Sequence, residues 1–353
     1  VQETDYFFKD IAMSYLPPIL SGHKTSSIGS IIYSFGGYHA PKDVVAFDIS
    51  NGAIDYQKAL LPVLEGHSVS TVEESIYICG GEANGRFREE TWKWNPTDSP
   101  LNKNNKRNSK SILIAKTGFA ARINQSMSKW EDKLVVFGGK GTALSSYYNS
   151  IAIFDTTKVS DGWVVHNDLQ NLPQARCGHT SVVYNDKMYI YGGKNDKVTF
   201  SDINILNLNN LEWEARPQLT GDELPPRAFH QSIVFEDRPV MFTIGGNEDT
   251  STAHLVNLET FSVTAIKITG NVPPSLSSFT LTLTHEGDLI IIGGKVKDHP
   301  TNLVQLLHIP ETEKSSTEQD LTPMATMSRK KANSVICKPI AAEDKEEINY
   351  VLE

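Results

Sequence analysis

The sequence has few cysteines and no excess of positive charge. Its three cysteines, Cys79, Cys177 and Cys337, are an odd number scattered over 353 residues, which is not the pattern of a disulfide framework. We therefore expect free thiols and a reducing compartment, the cytoplasm first and the nucleus as an alternative. Lys and Arg total 33 against 42 Asp and Glu, giving a net charge of -9. This balance argues against general binding to nucleic acid or to acidic membranes.

Long apolar runs and catalytic signatures are also missing. No stretch approaches the roughly 18 consecutive apolar residues of a transmembrane helix, and residues 1–10 lack a basic start followed by an apolar run. The cysteines have no metal-ligand spacing around them, and no paired-carboxylate, Ser-His-Asp or phosphate-loop signature occurs. We therefore predict a protein without membrane insertion that is not an enzyme and needs no cofactor or metal.

An apolar run closed by a pair of glycines occurs six times in the sequence. The first glycines of the pairs are Gly36, Gly80, Gly138, Gly192, Gly245 and Gly293, which are 44, 58, 54, 53 and 48 residues apart. Such a regular spacing of similar segments indicates a repeat architecture with a period of about 50 residues.

Each period contains further strand and turn signals. A polar loop and a second apolar run follow the glycine pair, as in 150–155, and an aromatic residue such as Trp213 marks a third strand. A connector with Leu-Pro, Arg and His then leads into another β-branched run, as in 172–183. Proline cannot pair within a sheet, and apolar runs without alternation indicate strands covered on both faces. Four strands per period therefore predict one packed sheet per repeat.

The order of the Arg-x-x-His connector, the glycine pair and the later Trp resembles the kelch-repeat family over about residues 17–310, and the repeat from Arg176 to Trp213 matches best. The resemblance implies an all-β fold, a kelch-type β-propeller of four-stranded antiparallel blades. Some copies are degenerate, since Gln125 stands where a histidine is expected after Arg122 and Leu276 replaces the arginine. The repeat therefore indicates a fold rather than a repeated site.

The number of blades is either seven or six. Strand-like segments at 5–10, 323–336 and 348–352 allow a blade that joins both ends of the chain and closes the ring. Dividing the length by the period favours seven, whereas six glycine pairs support six, with the last ~40 residues as an appendage. We expect residues 1–353 to be a single propeller domain from a larger protein, with residues 96–111 as a surface loop insertion.

The resemblance implies that the loops after the glycine pairs and the connectors emerge on one face. We predict that this face binds a partner segment, because Arg and aromatic residues are favoured at interfaces and basic loops on an acidic protein suit an acidic or phosphorylated segment. An alternative reading is that the connector arginines only support neighbouring blades, and His179 and His230 are expected to be structural. The candidate residues are Tyr38, His39, Arg86, Phe87, Arg88, Arg122, Lys140, Tyr147, Tyr148, Arg176, Lys194, Lys197, Phe200, Arg227, Lys295 and Lys297.

These features favour a non-catalytic protein-interaction module, a scaffold or adaptor in polarity, cytoskeleton or signalling. One alternative is the substrate-recognition subunit of a ubiquitin ligase. A further alternative is a galactose-oxidase-like copper enzyme, because such enzymes share the kelch propeller. The identity of the partner and the oligomeric state have no signature in the sequence.

Overall fold

The computed structural model describes residues 5–38, 40–96, 110–116, 118–235, 238–246, 250–273, 275–284 and 287–310. Within these ranges the regular structure is almost entirely β-strand, with one short 3-10 helix at Val159–Asp161. No helix in this part of the chain is long and apolar enough to cross a membrane. The longer strands form six antiparallel four-stranded blades, whose innermost strands contact one another around a central channel.

The first three blades follow the chain order, and their strands are given from the channel outward. Blade one contains Lys24–Ile28, Ile31–Phe35, Val44–Asp48 and Ala53–Gln57. Blade two contains Ser68–Val72, Ser75–Cys79, Thr91–Asn95 and Lys110–Ala115. Blade three contains Ser126–Trp130, Lys133–Phe137, Ile151–Asp155 and Trp163–His166.

The remaining blades include the one that joins the two ends of the described chain. Blade four contains Thr180–Tyr184, Lys187–Tyr191, Ile203–Asn207 and Glu212–Trp213. Blade five contains Gln231–Val234, Val240–Ile244, Thr252–Asn257 and Ser262–Lys267, with Thr220–Gly221 added in parallel at its outer edge. Blade six contains Thr280–Leu283, Leu289–Ile292, Val304–His308 and the N-terminal strand Phe7–Asp10, beside which Thr269–Gly270 runs parallel.

Every glycine pair directly follows the second strand of a blade, as the sequence predicts. Gly36 shows why glycine is needed there: its φ is 56°, and a Cβ at this position would lie 2.1 Å from the carbonyl oxygen of Leu64 in the connector to blade two. The backbone of one blade therefore approaches the next more closely than any side chain allows.

Six backbone hydrogen bonds form a closed ring at the channel mouth. In each, the N–H of a residue just before an innermost strand donates to the carbonyl of the equivalent residue in the preceding blade, at 2.7–3.3 Å. The six residues, which we call the collar, have φ between 54° and 65°: Gly22, Gly66, Asn124, Gly178, Phe229 and Ser278. Because the Gly22 N–H donates to Ser278 O, blade one follows blade six and the ring is complete.

The ring of the described residues therefore has six blades, and the expectation of seven is wrong. It overestimated the count because it divided the whole length by the period and assigned the last residues to a further blade. The expected closure by both ends of the chain is confirmed in a different form: Phe7 pairs with His308 and Asp10 with Gln305 within blade six. The strands predicted at 323–336 and 348–352 lie outside the described residues.

The loop insertion predicted at 96–111 ends earlier than expected. Lys110 and Ser111 begin the outermost strand of blade two, where Ser111 pairs with Trp94. Residues 97–109 lie outside the described residues. The extra length of the second period thus includes part of a blade strand.

The hydrophobic core is divided into six clusters, one at each junction between neighbouring blades. Between blades one and two, for example, the fully buried Trp94 packs edge-on against Tyr33 and Phe35, with ring centroids 5.0 and 5.3 Å apart. Both faces of each sheet are covered in this way, which explains the continuous apolar runs before the glycine pairs.

Candidate partner-binding face

The connectors and the loops after the glycine pairs meet on one face, as expected. In five of the six blades, short antiparallel bridges join the connector to the residue just after the glycine pair of the same blade. The bridges described are Ser21–Tyr38, Glu65–Glu82, Ile123–Lys140, Cys177–Lys194 and Ser277–Lys295. We call this surface the loop face; it surrounds the collar at one end of the channel.

A notch on the loop face lies between blades three and four. It is lined by Lys140, Tyr147, Lys194 and Asp196, among others, and encloses a volume of about 470 Å³. The Tyr147 hydroxyl donates a hydrogen bond to Asp196 Oδ1 at 2.6 Å. The Lys194 ammonium lies 5.6 Å from the centre of the Phe229 ring, and that of Lys140 lies 5.8 Å from the Tyr147 ring. Two predicted lysines and one predicted tyrosine therefore converge at this notch.

The surroundings of Asp196 in the notch favour its ionised form. Hydrogen bonds from Ser145 and Tyr147, helped by the charges of Lys140 and Lys194, lower the pKa of the Asp196 carboxyl. Desolvation, followed by the hydrogen bond to Asp196, raises the pKa of Tyr147. One carboxylate thus faces two ammonium groups, and the notch keeps an excess positive charge of one.

The connector arginines do not belong to the exposed surface, and this part of the site prediction is corrected. Arg176 is fully buried: its guanidinium donates to Gln174 O at 3.0 Å and Gly192 O at 2.9 Å and pairs with both carboxylate oxygens of Asp202 at 2.6 and 3.1 Å. The ring of Phe200, itself buried, lies 4.0 Å from the guanidinium carbon. The arginine tethers its connector to the glycine pair and to the third strand of blade four.

Arg122 and Arg227 are held in the same way within their own blades. Arg122 donates to Gly138 O at 2.9 Å and stacks at 4.1 Å on the ring of Tyr148, which makes Tyr148 a supporting residue. Burial lowers the pKa of Arg122 to about 10. Arg227 donates to Gly245 O at 2.7 Å and contacts His254 Nδ1 at 3.1 Å. The reading of these arginines as supports of the propeller thus agrees with their burial.

The other candidates lie around the rim. Arg86 is exposed at the tip of a hairpin on blade two, Phe87 is half-buried in it, and Arg88 pairs with Glu90 at 3.4 Å. Lys197 and Lys297 are exposed, Lys295 is half-buried, and Tyr38 is 49% exposed. His39 lies outside the described residues. Blade two also carries Glu65 and Glu82, so the positive charge on the face is uneven.

The structure adds residues that sequence reasoning did not select. Asp196 was not selected because its contact with Tyr147 joins loops that are 49 residues apart. Asp202, the partner of Arg176, was not selected either, because a carboxylate in the loop after a glycine pair is typical of an ordinary turn. A signal for the buried arginines did exist: Arg122 and Arg176 both precede by 16 residues the glycine whose carbonyl they bind.

Cys79, Cys177 and five of the described histidines are buried: His23, His67, His179, His230 and His254. Burial raises the pKa of the Cys79 thiol to about 12 and that of Cys177 to about 11. His179 and His230 lie beneath the collar, as expected for structural histidines, and Cys337 lies outside the described residues. In the described part of the chain, no group of three or more His, Cys, Asp or Glu could hold a metal ion.

Six four-stranded blades closed by a collar, with a loop face built from connectors and post-glycine loops, define a β-propeller of the kelch type. Residues 22–246 match the KLHDC2/KLHL20/DRC7 Kelch-repeats domain. The chain therefore belongs to the Kelch-repeat family, as its resemblance predicted. Kelch domains point to protein binding in general.

Individual relatives differ in size and name. The chain is 25% identical to human Kelch domain-containing protein 1 over 79% of this chain and 76% of the relative. It is similar to Acyl-CoA-binding domain-containing protein 4 of Arabidopsis thaliana, with 27% identity over 53% of this chain and 28% of the relative. It is also 34% identical to the Rho GTPase-activating protein gacHH of Dictyostelium discoideum, over 40% of this chain and 10% of the relative. The match thus spans under a third of these last two proteins.

Proposed function

We propose that the chain is a non-catalytic interaction module, a scaffold or adaptor, that holds an acidic segment of a partner protein in the notch between blades three and four. The observation that carries this proposal is the convergence of Lys140 and Lys194 around Tyr147 in a concave part of the loop face. Charge complementarity across an interface selects partners and speeds their association. The site lies in the cytoplasm or nucleus, where Cys79 and Cys177 remain reduced.

The chemistry of the notch suits an acidic segment for two reasons. Lys194 is exposed and Lys140 is half-buried, so both ammonium groups are accessible to a carboxylate or phosphate from solution. Tyr147 and the neighbouring Phe229 offer aromatic surface, a residue type that dominates interface energetics. Asp196 rejects segments that would place a second carboxylate directly upon it and thereby favours a defined register.

The notch is preferred over the rest of the loop face because the other basic residues have acidic neighbours or stand alone. Arg88 is paired with Glu90, and blade two carries Glu65 and Glu82 at the equivalent bridge. The role as a module is supported by relatives that are longer proteins, in one of which the matched stretch makes up 10% of the length.

The experiment compares partner recovery between two charge-reversal variants on the same face. The chain is purified from its own cells with its partners, which are identified by mass spectrometry. The notch variant is Lys140→Glu with Lys194→Glu, and the matched control is Arg86→Glu with Lys297→Glu, which makes the same change in net charge. We expect the notch variant to lose a set of partners that the control retains. Equal recovery by both folded variants would place the binding surface elsewhere.

The proposal that the chain is not an enzyme has its own test. A galactose-oxidase-like activity would require bound copper and a visible absorbance band. Metal analysis of the purified chain after incubation with copper, together with its visible spectrum, is expected to show neither. Stoichiometric copper with a visible band would overturn the non-catalytic proposal.

A further inference from the structure

The residues that follow the collar bind hydroxyl groups of the preceding blade. A ring nitrogen or side-chain amide at this position approaches the hydroxyl of the first residue of the neighbouring innermost strand. The described pairs are His23 with Thr280 at 3.2 Å, Gln125 with Ser68 at 3.2 Å, His179 with Ser126 at 2.9 Å and His230 with Thr180 at 3.0 Å. Serine or threonine at the start of an innermost strand is thus the rule at these junctions.

Blade one departs from the rule. The first residue of its innermost strand is Lys24, where blades two, three, four and six have serine or threonine, and its charge contributes to the lowered pKa of His67 in blade two. A lysine cannot accept a hydrogen bond from the histidine and adds a positive charge to the channel. The innermost strand of blade five also starts without a hydroxyl residue, at Gln231, but Lys24 is the one of these two residues that carries a charge.

The cavity that receives Lys24 is positive and polar. It occupies about 230 Å³ of the channel beside the collar, far more than the roughly 30 Å³ of one water molecule, and is partly open to solvent. Hydroxyl groups of Thr25, Ser68 and Thr180 line it along with the buried histidines. No carboxylate is among the described residues that line it.

The charge of Lys24 acts across the whole channel. Burial lowers the pKa of Lys24 itself, and no nearby acid counteracts this shift. Burial holds the pKa of His23 and His67 at about 3, and the charge of Lys24 contributes to both shifts. After burial and the nearer arginines, Lys24 also lowers the pKa of His179 in blade four and of His230 in blade five. Lys24 also lines the channel cavity directly.

We propose that the channel is a binding site for one small tetrahedral oxyanion of the phosphate or sulfate class, with Lys24 as its charged ligand and a lining of hydroxyl residues around it. Lysine binds phosphate as a point charge, and a polar lining without a carboxylate among its described residues does not repel an anion. The site lies inside the channel and is separate from the notch, so it does not depend on the proposed partner binding.

The test uses inorganic phosphate and the full chain. Isothermal titration is performed with wild type, Lys24→Met and the matched control Lys197→Met, which removes an exposed lysine of a loop. Thermal unfolding is followed in phosphate and in chloride of equal ionic strength. Wild type and the control are expected to bind one phosphate and to melt higher in phosphate than in chloride, because a ligand bound only to the folded state stabilises it. Lys24→Met is expected to bind at least tenfold more weakly.

Each outcome decides the proposal. If wild type shows no saturable phosphate binding, the proposal is wrong whether or not the Lys24 variant folds. If Lys24→Met binds phosphate as tightly as the control does, the anion lies elsewhere and the proposal is equally wrong. Equal gains in melting temperature for all three proteins would show a general salt effect and would also contradict it.

Discussion

The Gly22 backbone N–H donates a hydrogen bond to the carbonyl of Ser278 at 3.0 Å, although 256 residues separate them in the chain. This bond closes the collar between blades six and one. The N-terminal strand Phe7–Asp10 completes blade six as its outermost long strand. The closed ring leaves no free innermost edge and fixes the loops around one channel mouth. The notch depends on this arrangement, because Lys140 and Lys194 belong to different blades.

A substitution pair in blade one tests the close approach between blades. Gly36 and Gly29 have φ of 56° and 58°, but a Cβ on Gly36 would meet Leu64 O at 2.1 Å, whereas nothing lies within 4 Å of one on Gly29. Gly29→Ala is expected to cost about 1–2 kcal/mol, the strain of the left-handed conformation alone. Gly36→Ala adds a backbone clash and is expected to cost several kcal/mol more. Equal losses in urea unfolding would mean that the blades separate easily.

The buried arginine of blade four should matter for stability. Arg176→Met removes a fully buried guanidinium that pairs with Asp202, and we expect it to cost about 3–5 kcal/mol. The control is Arg216→Met, which removes an exposed arginine 3.0 Å from the same carboxylate and should cost about 1 kcal/mol or less. Chemical denaturation measures both. A small loss of stability for Arg176→Met, together with abolished partner binding, would indicate that this arginine belongs to the binding surface.

The buried histidines predict sensitivity to acid. Burial, followed by the charges of Arg176 and Lys24, lowers the pKa of His179 to about 3, whereas in the unfolded chain it is near 6.5. Between these values the unfolded state binds more protons, so stability falls as the pH decreases from 6.5 toward 3. His179→Gln copies the natural Gln125 of blade three and should reduce this slope by about 1.4 kcal/mol per pH unit. His299→Gln, at an exposed position, is the control, and an equal effect of both variants would contradict the prediction.

The thiols should be free but protected by the fold. Cys79 and Cys177 are buried with raised pKa values, and neither forms a disulfide in the described chain. Titration of unreduced, denatured protein should detect about three thiols, whereas native protein should react at most slowly at these two. A disulfide found by mass spectrometry would contradict the assignment to a reducing compartment.

The sequence contained most of the fold because the repeat is a local signal. Each glycine pair marks the end of a second strand, and the continuous apolar runs before the pairs predict strands that are covered on both faces, as the clusters around Trp94 and Trp213 show. The number of blades was less accessible, since it depends on which distant strand pairs with Phe7–Asp10. Burial of Arg176 was also ambiguous, because an arginine in a connector is compatible with either a tether or a contact surface. Lys24 could not be selected from the sequence, because its position stands out only when it is compared with the serine or threonine that starts the innermost strand of four other blades.

The affinity of the notch for a recovered partner tests the central claim most directly. The dissociation constant is measured for wild type, for Lys140→Glu with Lys194→Glu, and for Arg86→Glu with Lys297→Glu, each at low and at physiological salt. We predict at least a tenfold weaker complex for the notch variant, near-wild-type affinity for the control, and binding by wild type that weakens as salt screens the charges. An unchanged dissociation constant for a notch variant that melts like wild type would contradict the account.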